Sequence, residues 1–468
     1  MPLYECLHTL EYWCRHRNER QSLSLKEEHL LPNVERLLLS CSKGRSSDHT
    51  ARKLIGLKSQ SQYAQCLKEL AKYGIRPVKS IRRNRVICCH VDSRRTQQLQ
   101  SLAEHPNVSY VEPDFKLHAH GFPAKGAFKI PKRRIKAKSA PYMKKRLRTQ
   151  SIGKGRLLSD TSSSGVSWNM AQIEAHKIWP MTKGKGAGIA IIDTGISKHA
   201  NLSISGGVNT MGGSTYYDDN GHGTHVAGIA AGIGYNGARP GVAPRAKLYA
   251  VKALDANGAG YVSDIIKGID WCINKKIPVI NMSLGLEGET SSALKEAVQR
   301  ARQNGVIVVA SAGNSGSGTK QIDQPARYSS AIGVGASTRK GKIAEYSSRG
   351  YGVDVTAPGS YIKSTWPGGS YQVLSGTSMS SPHVAGGVAL LKSLNPSLSP
   401  STITKRLRAS AKKISSCSSK LQGYGVMQLS GAAAYSSYEQ PAEAASRSSS
   451  KSRSSSKSRS SSKSRKSR

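Results

Sequence analysis

Apolar residues follow three patterns along this chain. Over residues 188–359, short unbroken apolar runs recur at 188–193, 247–254, 279–285, 306–314, 331–337 and 353–359. Between them, residues 262–276 and 292–304 place apolar positions at helical spacing. Runs without polar alternation predict strands buried on both faces, hence a mostly parallel sheet. Strands alternating with helices form the α/β pattern, predicted here over 166–435. Residues 51–120 have a second pattern, a small α+β unit. Helices are predicted at 63–73 and 96–104, and strands at 85–92 and 108–111. Residues 1–50 alternate short apolar groups with charge and read as a helical extension without an assigned role. The third pattern has no apolar period. It covers 121–165, which is basic and then Ser/Gly-rich with Pro123, Pro131 and Pro141, and 436–468, where RSSSKS repeats three times from Arg447 to Ser464. Such segments read as a flexible linker and a disordered tail.

Charge changes the picture less than its total implies. The chain has 468 residues with 70 Lys and Arg against 28 Asp and Glu, a formal net charge of +42. Residues 121–156 contribute 13 basic residues and 447–468 another 9, with no acid in either segment. About half of the excess therefore lies in linker and tail, and the folded part is not marked as a nucleic-acid reader. The tail has no interleaved aromatic residues, so it lacks a stacking platform for bases. What it offers is non-specific, salt-sensitive affinity for an anionic partner.

Eight cysteines, six of them before residue 90, show no zinc-site spacing and no evident disulfide framework. The thiols fit a reducing compartment better than an oxidising one. The first residues, MPLYECLHTLEYWCRHRNER, break any apolar run with Glu5, His8, Glu11 and Arg15. No signal peptide and no membrane span are recognised, so the expectation is an intracellular or non-classically exported protein.

Candidate chemistry lies in the α/β part. Asp193 ends the run GIAIIDTG, where open parallel sheets place their sites. Alone it reads first as a turn or capping aspartate. An aspartic-protease reading of DTG needs a second copy to pair two carboxylates, and none is present. His222 lies in NGHGTHVAG among small residues, at the start of a helix expected to carry Val226, Ile229 and Ile233 inward. His225 reads as a structural neighbour. A metal reading of His222 with His225 has no HExxH glutamate and no third ligand. Ser378 lies in SGTSMSSPHVAG, at the predicted start of a helix whose first turn tolerates Pro382; its rival reading is an N-cap serine. Asn314 ends VIVVASAGN and could donate to an oxyanion or serve as a turn residue.

In combination these residues carry more. Asp, His and Ser follow one another in the chain order of subtilisin. IIDTG, NGHGTHVAG, NMSLG, SAGN and SGTSMSSPHVAG, co-linear over about 200 residues, resemble the motifs of the subtilase family of serine endopeptidases. The likeness spans roughly 166–415. It implies a subtilisin-like fold, a mostly parallel twisted sheet with helices on both faces. It implies Ser378 as nucleophile, His222 as general base and then acid, and Asp193 as the carboxylate orienting the imidazole. Asn314 and the Ser378 N–H would form the oxyanion hole. Gly258, Ala259 and Gly260 on one side, and Ser283, Leu284 and Gly285 on the other, resemble edges that clasp an extended peptide. Asp323 falls at the floor of the first specificity pocket, where a carboxylate would favour Lys or Arg before the scissile bond; its rival is a surface aspartate paired with Lys320 or Arg327.

Residues 51–120, ending in VSYVEPDFKLHAH, resemble a subtilase propeptide, an intramolecular inhibitor cut near His120. The partners implied are protein or peptide substrates and the chain's own propeptide, on a monomer. No cofactor is needed for the chemistry. Structural calcium is doubtful, because Asn201 stands where relatives often have an aspartate and residues 233–240 depart from their loop; Asp218 and Asp219 have no assigned place. The competing readings are an inactive subtilase-fold scaffold and an anionic-polymer-binding protein using the basic tail.

Overall fold

A computed structural model describes residues 33–120, 166–318, 321–415 and 417–435. The expected linker and tail therefore lie outside the described residues. The N-terminal unit is built on an antiparallel sheet of β1 (Ser42–Lys43), β2 (Thr50–Leu57), β3 (Lys79–Ile81), β4 (Val86–Asp92) and β5 (Val108–Pro113). The order is β1-β4-β2-β5, with β3 also on β4. Helices α1 (Val34–Cys41), α2 (Gln60–Lys72) and α3 (Thr96–Glu104) cover one face. Leu38 and Cys41 are buried there with Ile55, Tyr63, Leu70, Ile87 and Leu102. A boundary at residue 50 is therefore too late, since α1 supplies part of this unit's core. Its charged outer face hid that role. Helix α2 begins with a capping box, in which Ser59 and Gln62 satisfy each other's backbone N–H groups.

After β6 (Lys116–Ala119), the second unit is built around a seven-stranded sheet. Its strands are β7 (Gly188–Asp193), β8 (Ile204–Asn209), β9 (Lys247–Lys252), β11 (Val279–Met282), β13 (Ile307–Ser311), β14 (Ala331–Ser337) and β15 (Val355–Pro358). Every pairing is parallel, in the order β15-β14-β13-β11-β7-β9-β8. Side chains alternate between two cores. Ile189 and Ile191 face Val226, Ile229, Val384 and Val388 from α4 (His222–Ala231) and α7 (Thr377–Leu394). Ala190 and Ile192 face Ile265, Ile269, Leu294 and Val298 from α5 (Val262–Asn274) and α6 (Ser292–Gln303). Both faces are apolar for this reason, which is why the strands read as unbroken runs.

The order reverses between β7 and β11: β9 and β8 continue one way from β7, and β13 to β15 the other way from β11. A crevice opens at such a switch point, at the carboxyl ends of the strands. Asp193 is the last residue of β7, and Ser283 directly follows β11.

Several elements differ from expectation. Ile233 lies beyond α4 and is 39% exposed, so only Val226 and Ile229 pack inward. Strand β8 (ISGGVN) is an edge strand whose glycines gave no apolar signal. Asn314 lies three residues past the end of β13. Pro382 is the sixth residue of α7 and not part of its first turn.

Candidate active site

The carbonyl of Asp193 accepts from the N–H groups of Ala253 and Leu254 (3.0 and 3.1 Å), which ties the end of β7 to the loop after β9. Its fully buried side chain accepts through Oδ1 from the Thr194 N–H (2.7 Å) and from His222 Nδ1 (2.8 Å). His222 opens α4 after Gly221, whose φ of +111° suits glycine and where a Cβ would run into the Trp366 indole. Burial pushes the His222 imidazole down, but Asp193, by charge and hydrogen bond, and Asp218, by charge, hold it above its ordinary value.

Asp218 is a buried carboxylate that was not placed from sequence. Oδ1 accepts from Thr194 Oγ1 (2.8 Å) and the N–H groups of Asn220 and Gly221 (2.9 and 2.8 Å). Oδ2 accepts from the N–H and Oγ1 of Thr224 (2.9 and 2.6 Å). One side chain thus ties the residue beside Asp193 to the helix turn carrying His222. The buried Lys252 ammonium completes this layer, donating to Thr194 O, Leu254 O and Asp219 Oδ1 at 2.8, 3.0 and 2.6 Å. The pair DD before NGHGTH was the one sequence signal for these acids.

His225 is fully buried and bonds through Nε2 to the carbonyls of Ile362 and Gln372, both at 3.1 Å. Burial lowers its pKa to about 3. It is a neutral structural histidine.

Ser378 is the second residue of α7. Pro382 has no N–H for the Ser378 carbonyl four residues earlier. That carbonyl instead accepts from Ser283 Oγ at 2.9 Å, while the Ser378 hydroxyl donates to the Ser283 carbonyl at 3.0 Å. His222 Nε2 is buried and makes no hydrogen bond to any described group. The Asp193–His222 pair is thus assembled, while the Ser378 hydroxyl is turned to the Ser283 carbonyl and not to His222. Asn314 Oδ1 accepts from the N–H and Oγ1 of Thr377, both at 2.9 Å, which fixes the orientation of the amide.

The chain's own residues 116–120 lie in this crevice. β6 runs antiparallel between β10 (Ala259–Tyr261) and β12 (Leu284–Gly285), completing a three-stranded sheet. The Ala119 N–H donates to Gly258 O (2.9 Å) and the His120 N–H to Ser283 O (3.1 Å). Gly258, Ala259, Gly260, Ser283, Leu284 and Gly285 therefore all flank this strand. The His120 carbonyl accepts from Asn314 Nδ2 at 2.5 Å, and a Cβ built on Gly376 would fall 2.5 Å from the same oxygen. The His120 imidazole contacts Asp323 Oδ2 through Nε2 (2.8 Å) and Ser311 Oγ through Nδ1 (2.7 Å). Asp323 is buried and its ion pair among the described residues is with His120, so it is not a surface aspartate paired with Arg327. Lys320 lies outside the described residues.

Two acids of VEPD hold the N-terminal unit against the second. Glu112 accepts from Ser291 Oγ (2.7 Å) and the N–H groups of Ser292 and Ala293 (2.8 and 3.2 Å) at the start of α6. Asp114 accepts from the Ser263 N–H and Oγ, both 2.9 Å, at the start of α5. Each meets the positive end of a helix and its unpaired N–H groups.

The subtilase family model matches residues 184–425, just over half of the chain and the region that contains every one of these catalytic candidates. The chain belongs to the subtilase family. It is a serine endopeptidase. Similar proteins include an alkaline protease of Alkalihalobacillus alcalophilus, 42% identical over 274 residues, covering 58% of this chain and 71% of that one. Subtilisin Savinase of Lederbergia lenta is 42% identical over 272 residues, covering 58% and 99%. Subtilisin DY of Bacillus licheniformis is 43% identical over 273 residues, covering 57% and 98%. Subtilases perform their chemistry without a cofactor. The calcium loop known in the family does not fit the residues of this subtilase. Asn201 Oδ1 already accepts from the N–H groups of Gly234 and Tyr235 (2.6 and 3.0 Å), and its amide nitrogen donates to Arg239 O (3.4 Å). An oxygen facing two N–H donors, in a neutral side chain, is a poor ligand for a hard cation. Asp218 and Asp219 are likewise engaged in the hydrogen bonds and the ion pair above. Among the described residues no helix is long and apolar enough to cross a membrane.

Proposed function

We propose that this subtilase is made as a self-inhibited precursor, in which residues 34–120 form an inhibitory unit whose strand 116–120 fills the active site, and that Asp193, His222 and Ser378 hydrolyse the peptide bond. The observation that carries this reading is the His120 carbonyl, which accepts from Asn314 Nδ2 at 2.5 Å at the end of a strand clasped on both edges. A substrate carbonyl needs this donor as its oxygen takes on charge. Ser378 Oγ attacks the carbonyl carbon as His222 Nε2 takes its proton, and Asp193 stabilises the imidazolium formed. His222 returns that proton to the leaving amine. Water, deprotonated by the same nitrogen, then opens the acyl-enzyme and restores the hydroxyl. Asn314 and the Ser378 N–H hold the oxyanion. Asp323 recognises the side chain before the scissile bond. An inactive scaffold is disfavoured because the Asp193–His222 pair and the Asn314 amide are both oriented for chemistry.

The test is to treat the purified full-length chain with a fluorophosphonate and map the adduct by mass, beside Ser378→Ala. Labelling at Ser378, with processed fragments only in the unaltered chain, is expected. Processing that persists in Ser378→Ala would overturn the assignment.

A further inference from the structure

Resting on that reading, we infer that Asp323 and Ser311 make the primary pocket selective for a histidine, and that the first bond cut is the one on the carboxyl side of His120. The occupant here is neither Lys nor Arg, which a bare carboxylate at the pocket floor would favour. It is an imidazole with both nitrogens engaged, Nε2 by Asp323 Oδ2 (2.8 Å) and Nδ1 by Ser311 Oγ (2.7 Å). A neutral imidazole offers one N–H and one bare nitrogen, and an imidazolium offers two N–H groups. The carboxylate accepts from Nε2–H in both states. The hydroxyl can rotate, donating to the bare nitrogen or accepting from Nδ1–H. Its other acceptor, the Met282 carbonyl, is 3.5 Å away, so little holds it from either role. Histidine is thus satisfied in both protonation states, which distinguishes this pocket from a simple cation trap.

Shape gives the rest of the selectivity. The Cε1–Nε2 edge of the ring sits against Gly285, where a built Cβ would overlap both atoms. The carboxylate is backed by Gly313, where a Cβ would fall 2.6 Å from Asp323 Oδ2. Gly313 has φ +104°, a conformation that disfavours any side chain. Ring and carboxylate therefore fill the space between two glycine backbones. A Lys or Arg chain is longer than imidazole, and its end would run into the Asp323 carboxylate, which Gly313 backs at close range. A Phe ring would fit between the glycines but leave Asp323 and Ser311 buried and unpaired, the situation in which a polar pocket discriminates most strongly.

Cleavage there balances as ordinary hydrolysis. The His120 carbonyl carbon passes to Ser378 Oγ, and the amine of the next residue leaves with the proton carried by His222. Water then releases His120 as a carboxylate.

The experiment uses the full-length chain, left to process, together with peptides that carry Lys-Leu-His-Ala before a varied residue (His, Lys, Arg, Phe or Asn) and a reporting leaving group. Fragment masses give the cut, and kcat/KM is measured at pH 6 and pH 8. We expect a fragment ending at His120 and a preference for His over Phe, Lys and Arg of about 10-fold or more at both pH values. Asp323→Asn should lower the His:Phe ratio about 10- to 100-fold. An enzyme that labels at Ser378 but prefers Phe, Lys or Arg, or first cuts elsewhere, overturns this inference alone. Absence of Ser378 labelling after processing conditions overturns the triad assignment and the inference with it.

Discussion

Asp114→Asn tests how the N-terminal unit is held in the active site. The Asp114 side chain is fully buried, and Arg52, its ion-pair partner within the same unit, is 19% exposed. Arg52 reaches Asp114 Oδ2 through Nε and Nη2 at 3.0 and 2.7 Å, and also donates to Ser263 Oγ at 3.2 Å. Asp114 itself bonds across the units through the Ser263 N–H and hydroxyl. Asparagine keeps the shape and one acceptor oxygen, so one of the two crossing bonds can persist. It loses the charge, and its amide N–H₂ then faces donors. A hydrogen bond to a charged group contributes about 1.5–3 kcal/mol, and a charge at a helix N-terminus about 0.3–1 kcal/mol more. The expected loss in docking is therefore about 2–4 kcal/mol, or roughly 30- to 700-fold in the inhibition constant of the cleaved segment. The assay follows peptidase activity of the processed chain on dilution, which reports how tightly the segment stays bound. Because Arg52 belongs to the same unit, Asp114→Asn also weakens that unit's own fold. Ser263→Ala leaves the N-terminal unit unaltered and removes only the hydroxyl bonds, with an expected effect of about 10-fold. An inhibition constant within about threefold of the unaltered chain for both variants would refute the reasoning.

Asn314→Ala should lower kcat by about 10²–10³ with a smaller effect on KM; this magnitude is the one known for subtilisin's own amide donor and is not worked from the present geometry. Catalysis requires neutral His222, and its pKa is raised, so the acid limb of kcat/KM should lie above the ordinary histidine value of about 6.5. Asp218→Asn removes one of the charges that raise it, so the limb should move to lower pH, and a limb that stays or rises counts against this role. Burial lowers the pKa of His225 to about 3 and of His383 to about 4. The unfolded chain therefore binds protons that the folded chain refuses, and stability present above about pH 6.5 should fall as pH drops through that window. Urea midpoints of an inactive Ser378→Ala background should show this fall. His225→Gln, whose amide can still donate to the Ile362 and Gln372 carbonyls, should flatten it.

Much of this enzyme is determined by local sequence. Strands buried on both faces carry unbroken apolar runs, so β7, β9, β11, β13, β14 and β15 and the helices between them were legible, as was the parallel sheet. The triad candidates were legible because each lies at a strand or helix end within small residues that let a substrate approach. Elements that depend on partners distant in sequence were not. Strand β6 has too few residues to declare itself and forms because β10 and β12 offer it two edges. Helix α1 looked like an isolated charged extension, but its apolar side fills a core supplied by residues as distant in sequence as Leu102 and Val108. Pro382 reads as a residue tolerated in a helix's first turn, but it is the sixth residue of α7, and Ser283, 99 residues earlier, satisfies the carbonyl it orphans. Asn201 already spoke against calcium in the sequence and Asp218 had no assigned place, because a side-chain oxygen has the same sequence signature whether it meets a cation or, as here, N–H donors. Asp323 had the same ambiguity: its charge could be read from sequence, but the shape of the group it meets could not. Sequence records which side chains can donate, accept or carry charge. Which partner each one meets depends on the packing of distant segments, and here that packing brings His120 to Asp323 and Ser311.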